Sequence, residues 1–391
     1  MTPVDLRNEG VWQATLPAED RRQLEADDGL SGGPVDVLVV GGGIIGLAVA
    51  YQLSLKRQRV LVIERGLPGE GATGAGAGGI WPSDQGPQHP AGFAPLALAS
   101  RDLWGRLSLQ PEFSIEWRVN GFLTVNSQRF GGDASRYATA AQEAGYTVHA
   151  VDGDQIAQLE PNLKPGWVAG VHCASDAHLN PLRGAASLLR AGRKKGVRLA
   201  SRTELTELRQ AGGRVTSIQT TRGEVSAGQV VVCTGAGVNL LSGRVRPVSG
   251  QLIATAPQPP LLKGTVGGEF LTLQLKTGEI VTGGTLLEGG ETRPDGELSG
   301  RLQAAAWDLI PKLAGVPFVR AWCGVRSATA DGLPVVDRVP GCENLWVATG
   351  HHRNGVLLAP ITGLLLAQWL TEGVVADELA PLRADRRGGG H

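Results

Sequence analysis

The sequence predicts an α/β fold in which a domain built on a parallel sheet is interleaved with an α+β domain built on an antiparallel sheet. Three features indicate this: a strand, glycine turn, helix and strand over residues 35–64, an apolar strand running into Gly235, and a last apolar strand and helix over residues 345–370. The strands are short, continuous and β-branched, which is typical of a sheet covered on both faces. Their pieces lie far apart in the chain, so we expect other segments to be inserted between them.

The first of these features has the pattern of a dinucleotide-binding βαβ motif. The apolar run 35–40 leads directly into Gly41, Gly43 and Gly46 in G-x-G-x-x-G spacing. Gly41 allows the tight turn, Gly43 lets a pyrophosphate approach the backbone, and Gly46 lets the helix pack close to the strand. The N-terminus of that helix would then face the phosphates.

An acidic residue follows the second strand of the motif. Residues 59–63 lead into Glu64, 18 residues after Gly46. A carboxylate there can accept hydrogen bonds from both ribose hydroxyls, and it would repel a 2′-phosphate. A lone glycine motif is weak evidence, because glycine-rich turns are common. Strand, helix and acid together predict a dinucleotide site that disfavours NADP.

Composition and charge argue against several classes of protein. The 391 residues suffice for about two domains with a large core. They include 37 basic and 37 acidic residues, so nothing in the charge balance indicates binding to nucleic acid or to an anionic membrane. Four cysteines, at positions 173, 233, 323 and 342, form no CxxC and have no zinc-like spacing from a histidine. We therefore expect neither a disulfide nor a metal site.

The sequence carries no targeting or membrane signal that we recognise. The first residues lack a basic stretch followed by an apolar core, so we expect no signal peptide. No apolar run approaches about 18 residues, so we expect no membrane span. With reduced cysteines, these features favour a cytoplasmic location.

The chain divides into alternating pieces of the two domains. Residues 1–33 are polar and are expected to form a surface arm in which Trp12 and Leu16 could pack on the body. The expected boundaries are 34–100, 171–245 and 321–380 for the nucleotide-binding domain, 101–170 and 246–320 for the second domain, and 381–391 for a disordered tail. A nicotinamide dehydrogenase usually keeps its two βαβ halves together, so this interleaving favours a flavoprotein.

Five stretches of the sequence carry a family resemblance. They are VLVVGGGIIG (37–46), GATGAGAGGI (71–80), VVVCTG (230–235), GVRSATADGLP (324–334) and ATGHHRNGVLLAP (348–360). Over roughly residues 34–375 the chain resembles the D-amino-acid-oxidase-like FAD oxidoreductases, and within them it is most similar to glycine oxidases. The last stretch is the most specific, since it resembles the C-terminal signature of glycine oxidases. The second departs at Gly74, where a serine is more usual.

The resemblance implies a fold, a cofactor and a reaction. The fold would be a Rossmann-like FAD-binding domain of the glutathione-reductase type, with the interleaved α+β domain holding the substrate. The reaction would be oxidative deamination of glycine or another small amino or imino acid, by hydride transfer from the substrate Cα to flavin N5. Reoxidation by O2 would release H2O2. A link to the thiazole part of thiamine is also implied.

The matching stretches also imply which residues contact FAD. Segment 71–79 is nearly all Gly and Ala, which lets the backbone approach a flat ligand, and the helix after Gly355 can stabilise negative charge on the flavin. A flexible loop and an ordinary strand–helix turn are the alternatives. The implied cofactor contacts are Gly41, Gly43, Ile44, Ile45, Gly46, Glu64, Arg65, Thr73, Gly74, Ala77, Gly78, Gly79, Ile80, Leu205, Thr234, Gly235, Gly324, His351, Arg353, Asn354, Gly355, Val356 and Leu357.

Three residues are candidates for the substrate site. By resemblance, Arg326 holds the position of the arginine that binds the substrate carboxylate, and a guanidinium suits that task because it binds with two hydrogen bonds and stays charged when desolvated. Its alternative is an ion pair with Asp331 or Asp337. Arg353 could lie at the rim of the same site or only hold its loop. His352 could transfer a proton, although a histidine near a strand end is more often structural.

Two positions bear on the substrate and on flavin attachment. Glycine oxidases often place a tyrosine on the strand that roofs the site, and Leu271 stands there in this chain. A leucine cannot bond a carboxylate, so a more apolar pocket and a D-amino acid, a D-proline-like imino acid or an N-methyl amino acid gain weight. Some sarcosine-oxidase relatives attach flavin through a cysteine in the region of Cys323, but a buried free thiol is favoured here.

Other functions stay open at this point. They are a D-amino-acid or D-proline-type dehydrogenase that reduces a quinone or carrier, an FAD-binding subunit without its own turnover, and a family member acting on modified tRNA. Neutral charge argues against nucleic acid. Arg326 argues against a pure binding module, because desolvating an unpaired arginine is costly without an anionic ligand. The oligomeric state is open, and a homo-oligomer is compatible with the sequence.

Overall fold

The computed structural model describes residues 8–87, 89–90, 92–125, 127–237, 240–241 and 243–386. Within them the chain forms ten α-helices. These are α1 (Val11–Thr15), α2 (Ala18–Glu25), α3 (Ile44–Leu55), α4 (Ala72–Ala75), α5 (Phe93–Leu107), α6 (Ala134–Glu143), α7 (Gly153–Leu159), α8 (Pro181–Arg193), α9 (Gly296–Leu309) and α10 (Gly355–Glu372).

The described residues also form 21 strands. In the first half of the chain these are β1 (Val35–Val40), β2 (Val60–Ile63), β3 (Gly79–Ile80), β4 (Arg118–Val119), β5 (Phe122–Thr124), β6 (His149–Asp152), β7 (Ala169–Cys173), β8 (Ala177–His178) and β9 (Arg198–Ala200). In the second half they are β10 (Leu205–Ala211), β11 (Arg214–Thr220), β12 (Gly223–Val225), β13 (Ala227–Val232), β14 (Val245–Thr255), β15 (Thr265–Gly267), β16 (Leu271–Gln274), β17 (Ile280–Gly283), β18 (Leu287–Glu288), β19 (Phe318–Thr329), β20 (Val335–Arg338) and β21 (Leu345–Thr349).

A six-stranded sheet organises the first domain. Its order is β20-β21-β13-β1-β2-β9, and every pairing is parallel except that of β20 with β21. Alternate residues of a strand point to opposite faces of the sheet, and both faces of this sheet are covered. Val37 and Val39 of β1 join the core formed with α3, α8 and α10, whereas Leu38 and Val40 join the core formed with the three-stranded sheet β10-β11-β12. The continuous apolar strands therefore form the parallel sheet that the sequence predicts.

The second domain is built on a nine-stranded sheet. Its order is β18-β14-β17-β16-β15-β5-β7-β6, with β19 paired to β14 along most of its length. All pairings are antiparallel except that of β15 with β5. The predicted domain boundary at residue 321 falls inside β19, and the predicted boundary at residue 170 falls inside β7. Both strands belong to this sheet because their backbone pairs within it, so these two limits of the first domain need correction.

The closing helix α10 lies in the core. Its interior Pro360 has no N–H for the carbonyl oxygen of Val356, and the indole Nε1 of Trp104 on α5 donates to that oxygen at 2.8 Å. Ser100 Oγ donates to the next carbonyl, that of Leu357, at 2.6 Å. Residues 352–372 are long and apolar enough to cross a membrane by length and composition, but 67% of the apolar 18-residue window within them is buried inside the protein. We describe α10 as a core helix.

Both ends of the described chain are better ordered than the sequence suggests. The predicted surface arm forms α1 and α2, and Trp12 is 2% exposed. The predicted disordered tail is wrong for residues 381–386, since the Ala384 amide donates to Asp337 Oδ2 at 2.7 Å and Arg386 pairs with Asp331 at 2.6 Å. These contacts join residues about 50 positions apart, so no local pattern reports them. Residues 387–391 of that tail lie outside the described residues.

Close packing of α10 on α3 yields a stability prediction. A Cβ at Gly363 would lie 2.6 Å from the carbonyl oxygen of Ala48, a contact that backbone must shift to relieve. We expect Gly363→Ala to lower the free energy of unfolding by roughly 1–3 kcal/mol, the usual effect of overpacking a core. Gly300→Ala is the matched control, because this helical glycine is exposed and meets nothing within 4 Å. Chemical denaturation that gave both variants equal stability would contradict this packing.

Candidate functional site

A cavity of about 1010 Å³ opens between the two domains at the carboxyl ends of the parallel strands. Its lining includes the residues that follow β1, β2, β13 and β21. The opposite side is formed by the nine-stranded sheet, with Gly267 from β15, Leu271 from β16 and Val325 from β19. Open α/β sheets bind ligands at this edge, where loops replace strands. We call this space the main cavity.

The glycine turn brings α3 against the end of β1. Gly41 has φ of +110°, and a Cβ there would lie 2.6 Å from the carbonyl oxygen of Cys233. A Cβ at Gly46 would lie only 2.0 Å from the carbonyl oxygen of Gly41. Only glycine fits both positions, so the start of α3 lies directly at the cavity.

The carboxylate of Glu64 is held in place by the same turn. Its Oε2 accepts from the Gly42 amide at 2.7 Å, and its Oε1 accepts from the Gly66 amide at 2.9 Å. Glu64 lines the main cavity. Carboxylate oxygens have further lone pairs, so this group can still accept hydrogen bonds from hydroxyl groups of a ligand.

The Gly- and Ala-rich segment 71–79 is fixed rather than flexible. It contains the short helix α4, and Thr73 Oγ1 accepts from the Ile44 amide at the start of α3, at 3.0 Å. Three consecutive carbonyl oxygens each meet a ring nitrogen: Ala75 with Trp322 Nε1 at 3.1 Å, Gly76 with Trp12 Nε1 at 2.7 Å, and Ala77 with His178 Nε2 at 3.0 Å. We call residues 75–77 the cofactor loop. The alternative of a flexible surface loop is therefore not what the structure shows.

Most of the predicted cofactor contacts line the main cavity. These are Gly41, Gly43, Ile44, Ile45, Glu64, Arg65, Thr73, Ala77, Gly78, Gly79, Leu205, Thr234, Gly235, Gly324, His351, Arg353, Asn354, Gly355 and Val356. Four others do not line it: Gly46 and Gly74 are tightly packed behind the lining, and Ile80 and Leu357 are buried in the core.

Arg326 is a desolvated guanidinium in the main cavity. Its Nη1 donates to the carbonyl oxygens of Thr285 and Ser249, at 2.9 and 3.2 Å. Burial, followed by the nearby charge of Arg353, lowers the pKa of Arg326 to about 10, so it stays charged at neutral pH. Among the described residues no carboxylate oxygen lies within 4.0 Å of it. The alternative ion pairs are not formed, because Asp331 pairs with Arg386 and Asp337 pairs with Arg383.

Arg353 belongs to an ion pair that the sequence does not reveal. Its Nη2 lies 2.6 Å from Oδ2 of Asp84, a carboxylate that is 5% exposed. Arg129 binds the other oxygen of the same carboxylate. Burial alone would raise the pKa of Asp84, but Arg353 and Arg129 outweigh it and hold that pKa below its usual value. Asp84 and Arg129 both line the main cavity, so Arg353 lies at the site and also has a structural partner.

Two neighbouring histidines occupy different environments. His351 Nε2 is 3.1 Å from Thr362 Oγ1, and burial lowers the pKa of His351 to about 3. His352 has φ of +47°, and its buried Nε2 has no hydrogen-bond partner among the described residues. Burial, and then the charges of Arg326 and Arg353, lower the pKa of His352 to about 4. Both rings are therefore neutral at neutral pH.

The remaining lining is largely apolar. Leu271, which stands where a tyrosine was expected, lines the main cavity together with Phe270, Trp81 and Phe122. The rings of Trp81 and Phe122 pack with centroids 5.3 Å apart. Sequence reasoning did not find Trp81 or Phe122, because single aromatic residues in short strands and turns carry no motif.

Cys323 and Asn8 complete one side of the cavity. Cys323 is 6% exposed, burial raises the pKa of its thiol, and its backbone amide donates to Asn8 Oδ1 at 2.7 Å. The four cysteines are free thiols and all are buried. Among the described residues, no group of three His, Cys, Asp or Glu side chains is arranged to hold a metal ion.

Comparison with known proteins agrees with this geometry. The family model for FAD dependent oxidoreductases, DAO, matches residues 36–369. The glycine oxidase of Geobacillus kaustophilus (strain HTA426) is 32% identical over 376 residues, covering 90% of this chain and 97% of the relative. The bifunctional protein ThiO/ThiG of Trichormus variabilis is 31% identical, covering 86% of this chain and 53% of the relative. The crystal structure of glycine oxidase from Geobacillus kaustophilus superimposes with a TM-score of 0.84 at 29% identity, covering 91% of this chain and 100% of that chain.

The buried histidines predict how stability depends on pH. Burial lowers the pKa values of His89, His178 and His352 to about 4 and that of His351 to about 3. Each binds its proton more weakly in the folded state, so their contribution is present above pH 6.5 and is lost as the pH falls towards 4. Asp176, whose pKa burial raises to about 7, acts in the opposite direction. We expect unfolding near pH 5 to take up about two to three protons.

Denaturation curves between pH 7 and pH 5 measure this uptake. His178→Gln should reduce it by about one proton, because it removes one depressed titration. His149→Gln, at an exposed position, controls for the substitution itself. A stability that did not change over this pH range would contradict the burial of these rings.

Proposed function

The chain belongs to the family of FAD-dependent oxidoreductases, and we propose that its main cavity carries out oxidative deamination of glycine or another small amino or imino acid. It is an FAD-dependent amino-acid oxidoreductase in the broad sense that its relatives define. We propose its substrate, its electron acceptor and the roles of its residues from the geometry of the cavity.

Arg326 carries the proposal. A desolvated guanidinium without a carboxylate partner is unfavourable unless an anion binds to it, and a substrate carboxylate is such an anion. Its Nη1 is oriented by two carbonyl oxygens, which leaves its other donors for that ligand. Nearby Arg353 already has Asp84, so the two arginines differ in the need for an anion. Arg326 would bind and orient the amino acid, and the paired Arg353 would hold the turn at the edge of the site.

The lining fits FAD in its shape and donor set. The start of α3 and its glycine turn suit a pyrophosphate, and Glu64 suits a ribose. The backbone amides of Ala77 and Gly78 have no acceptor among the described residues, so they can serve flavin heteroatoms. The turn into α10 would place a helix N-terminus near the negative end of the flavin. These features also support a Rossmann-like domain of the glutathione-reductase type.

FAD held by these residues would supply the acceptor for the hydride that leaves the substrate Cα, and its reoxidation by O2 would give H2O2. Water would hydrolyse the imine product to the 2-oxo acid and ammonia or an amine. The protein would contribute position and charge: Arg326 fixes the carboxylate, and the apolar residues Leu271, Trp81 and Phe122 exclude water beside it. Burial and the two arginines lower the pKa of His352 to about 4, which makes it a weak base, so the substrate amine would lose its proton before or on binding and His352 would not be needed to accept it. Leu271 makes the site less polar than a tyrosine would, which favours substrates with some apolar bulk over glycine alone.

The relatives and the cysteines support the acceptor, the pathway and the location. The relatives are glycine oxidases, which supports O2 as the electron acceptor. The alternative acceptor is a quinone or a carrier. The ThiO/ThiG relative is the support for a link to the thiazole part of thiamine. Four free cysteines support a cytoplasmic location.

Substitution of Arg326 tests the proposal. We expect Arg326→Ala to lower kcat/KM for the amino acid by about tenfold to a hundredfold, mainly through KM, because charged hydrogen bonds to the carboxylate are lost. Arg326→Lys should retain part of the binding, since it keeps the charge but not the planar fork. The exposed Arg209→Ala is the control. The role of Arg326 would be refuted if the Ala variant bound flavin and turned over with unchanged kcat/KM.

A further inference from the structure

The segment before the first strand is a structured part of the protein outside the matched family range. The family model begins at residue 36, and the segment precedes it with α1 and α2. Val11 is 1% exposed, Trp12 is 2% exposed and Leu24 is 4% exposed, so the segment has its own share of the core. We call residues 8–25 the N-terminal strap.

Ion pairs anchor the strap to α8. Asp20 is 3% exposed, and its two oxygens each lie 2.9 Å from an arginine, one from Arg183 and the other from Arg190. Two arginines on a single buried carboxylate give a fixed geometry, because the oxygens accept from both sides.

The chain that follows the strap covers an edge of the parallel sheet. The Asp28 amide donates to the carbonyl oxygen of Leu199 on β9 at 2.7 Å, and Asp28 Oδ2 accepts from the Leu199 amide at 2.9 Å. These hydrogen bonds cover part of the exposed edge of β9. The strap is therefore anchored to α8, and the chain directly after it is anchored to the parallel sheet.

The other end of the strap reaches the cofactor loop. Trp12 Nε1 donates to the carbonyl oxygen of Gly76, and the Trp12 ring packs 5.7 Å from the ring of His178, which itself meets Ala77. The backbone at Gly10 also comes close to the residue before this loop, since a Cβ there would lie 3.3 Å from the carbonyl oxygen of Gly74. Of the three ring contacts that fix the cofactor loop, one is made by Trp12 and a second by His178, whose ring packs on Trp12.

The strap also reaches the cavity lining itself. Asn8 lines the main cavity and adopts the left-handed conformation with φ of +65°. Its Oδ1 accepts a hydrogen bond from the backbone amide of Cys323, which is next to Gly324 and three residues before Arg326. Glu9 pairs with Arg320 of the same strand at 3.0 Å. The strap therefore connects the cofactor loop with β19, the strand that carries Arg326.

We infer that the N-terminal strap positions the cofactor loop for FAD and sets the affinity of the protein for this cofactor. The inference rests on FAD binding, which family membership establishes, and not on the identity of the amino acid. A loop already held in its bound conformation loses little conformational entropy when the ligand binds, so a fixed loop binds more tightly. Trp12 and Asn8 are positioning residues in this account, because they act through the backbone at Gly76 and Cys323.

The test compares two tryptophan variants of the full chain. Trp12→Phe keeps an aromatic ring and removes the N–H that reaches Gly76. We expect it to raise the Kd for FAD by roughly three- to tenfold, the range for loss of one net hydrogen bond. Trp307→Phe is the matched control, because Trp307 Nε1 also donates to a backbone oxygen, that of Val316 at 3.1 Å, and does not line the main cavity. Its Kd should equal that of the parent.

The measurement is titration of the cofactor-free protein with FAD, followed by quenching of flavin fluorescence, together with the absorbance spectrum of the bound flavin. The unfolding midpoints of the cofactor-free variants show whether both remain folded. If Trp12→Phe lowered the midpoint but left the Kd equal to that of Trp307→Phe, the strap would be a purely structural element and the inference would fail.

A second variant keeps the inference testable if Trp12→Phe does not fold. Asn8→Ala removes the acceptor of the Cys323 amide at the cavity lining without deleting a large core side chain. We expect a smaller rise in the Kd for FAD, about twofold to fivefold, and a changed flavin spectrum. An unchanged Kd and an unchanged spectrum would overturn the role of the strap at the cavity. If the parent protein bound FAD but no amino acid reduced it, the proposed function would fail and the inference about FAD affinity would still stand.

Discussion

The structure depends on the close approach of α3 to the end of β1. A Cβ at Gly46 would lie 2.0 Å from the carbonyl oxygen of Gly41, so the helix can begin at the cavity only because both residues are glycine. That position of α3 presents its first amide to Thr73 and so connects the helix to the Gly- and Ala-rich segment. It also places α3 under α10, where Gly363 leaves room for the Ala48 carbonyl. This one backbone contact therefore affects both the lining of the cavity and the packing of the main core.

Charge in the main cavity is arranged unequally. The carboxylate of Asp84 forms ion pairs with Arg353 and Arg129 and balances much of their charge. Arg326, in contrast, donates only to carbonyl oxygens, so its charge is not balanced although it is desolvated. Keeping a guanidinium charged under these conditions is costly, and an anionic ligand offsets that cost. The neutral His352 adds no charge at neutral pH. A bound carboxylate is the simplest way to complete this arrangement.

Local patterns predicted the parts of the fold that local physics determines. The parallel strands, the glycine turn and the helices α5, α8 and α10 follow from runs of apolar residues and from glycine spacing, and the structure confirms them. The contacts of Asp84 with Arg353, of Asn8 with Cys323, and of Asp331 with Arg386 join residues tens to hundreds of positions apart, and no spacing in the sequence indicates them. The predicted boundary at residue 321 cuts through β19 for a similar reason. The domain of β19 is decided by its pairing with β14, which local sequence does not reveal.

Anaerobic titration of the flavin-loaded protein with glycine, sarcosine, D-alanine and D-proline tests the central claim most directly. The oxidised-flavin absorbance at about 450 nm is followed after each addition. The account predicts that at least one of them bleaches this band, with a preference that reflects Leu271, and that admitting air restores it with release of H2O2. Bleaching that air does not restore would move the acceptor to a quinone or carrier. A flavin that none of these compounds reduces would contradict the assignment of the site to small amino acids.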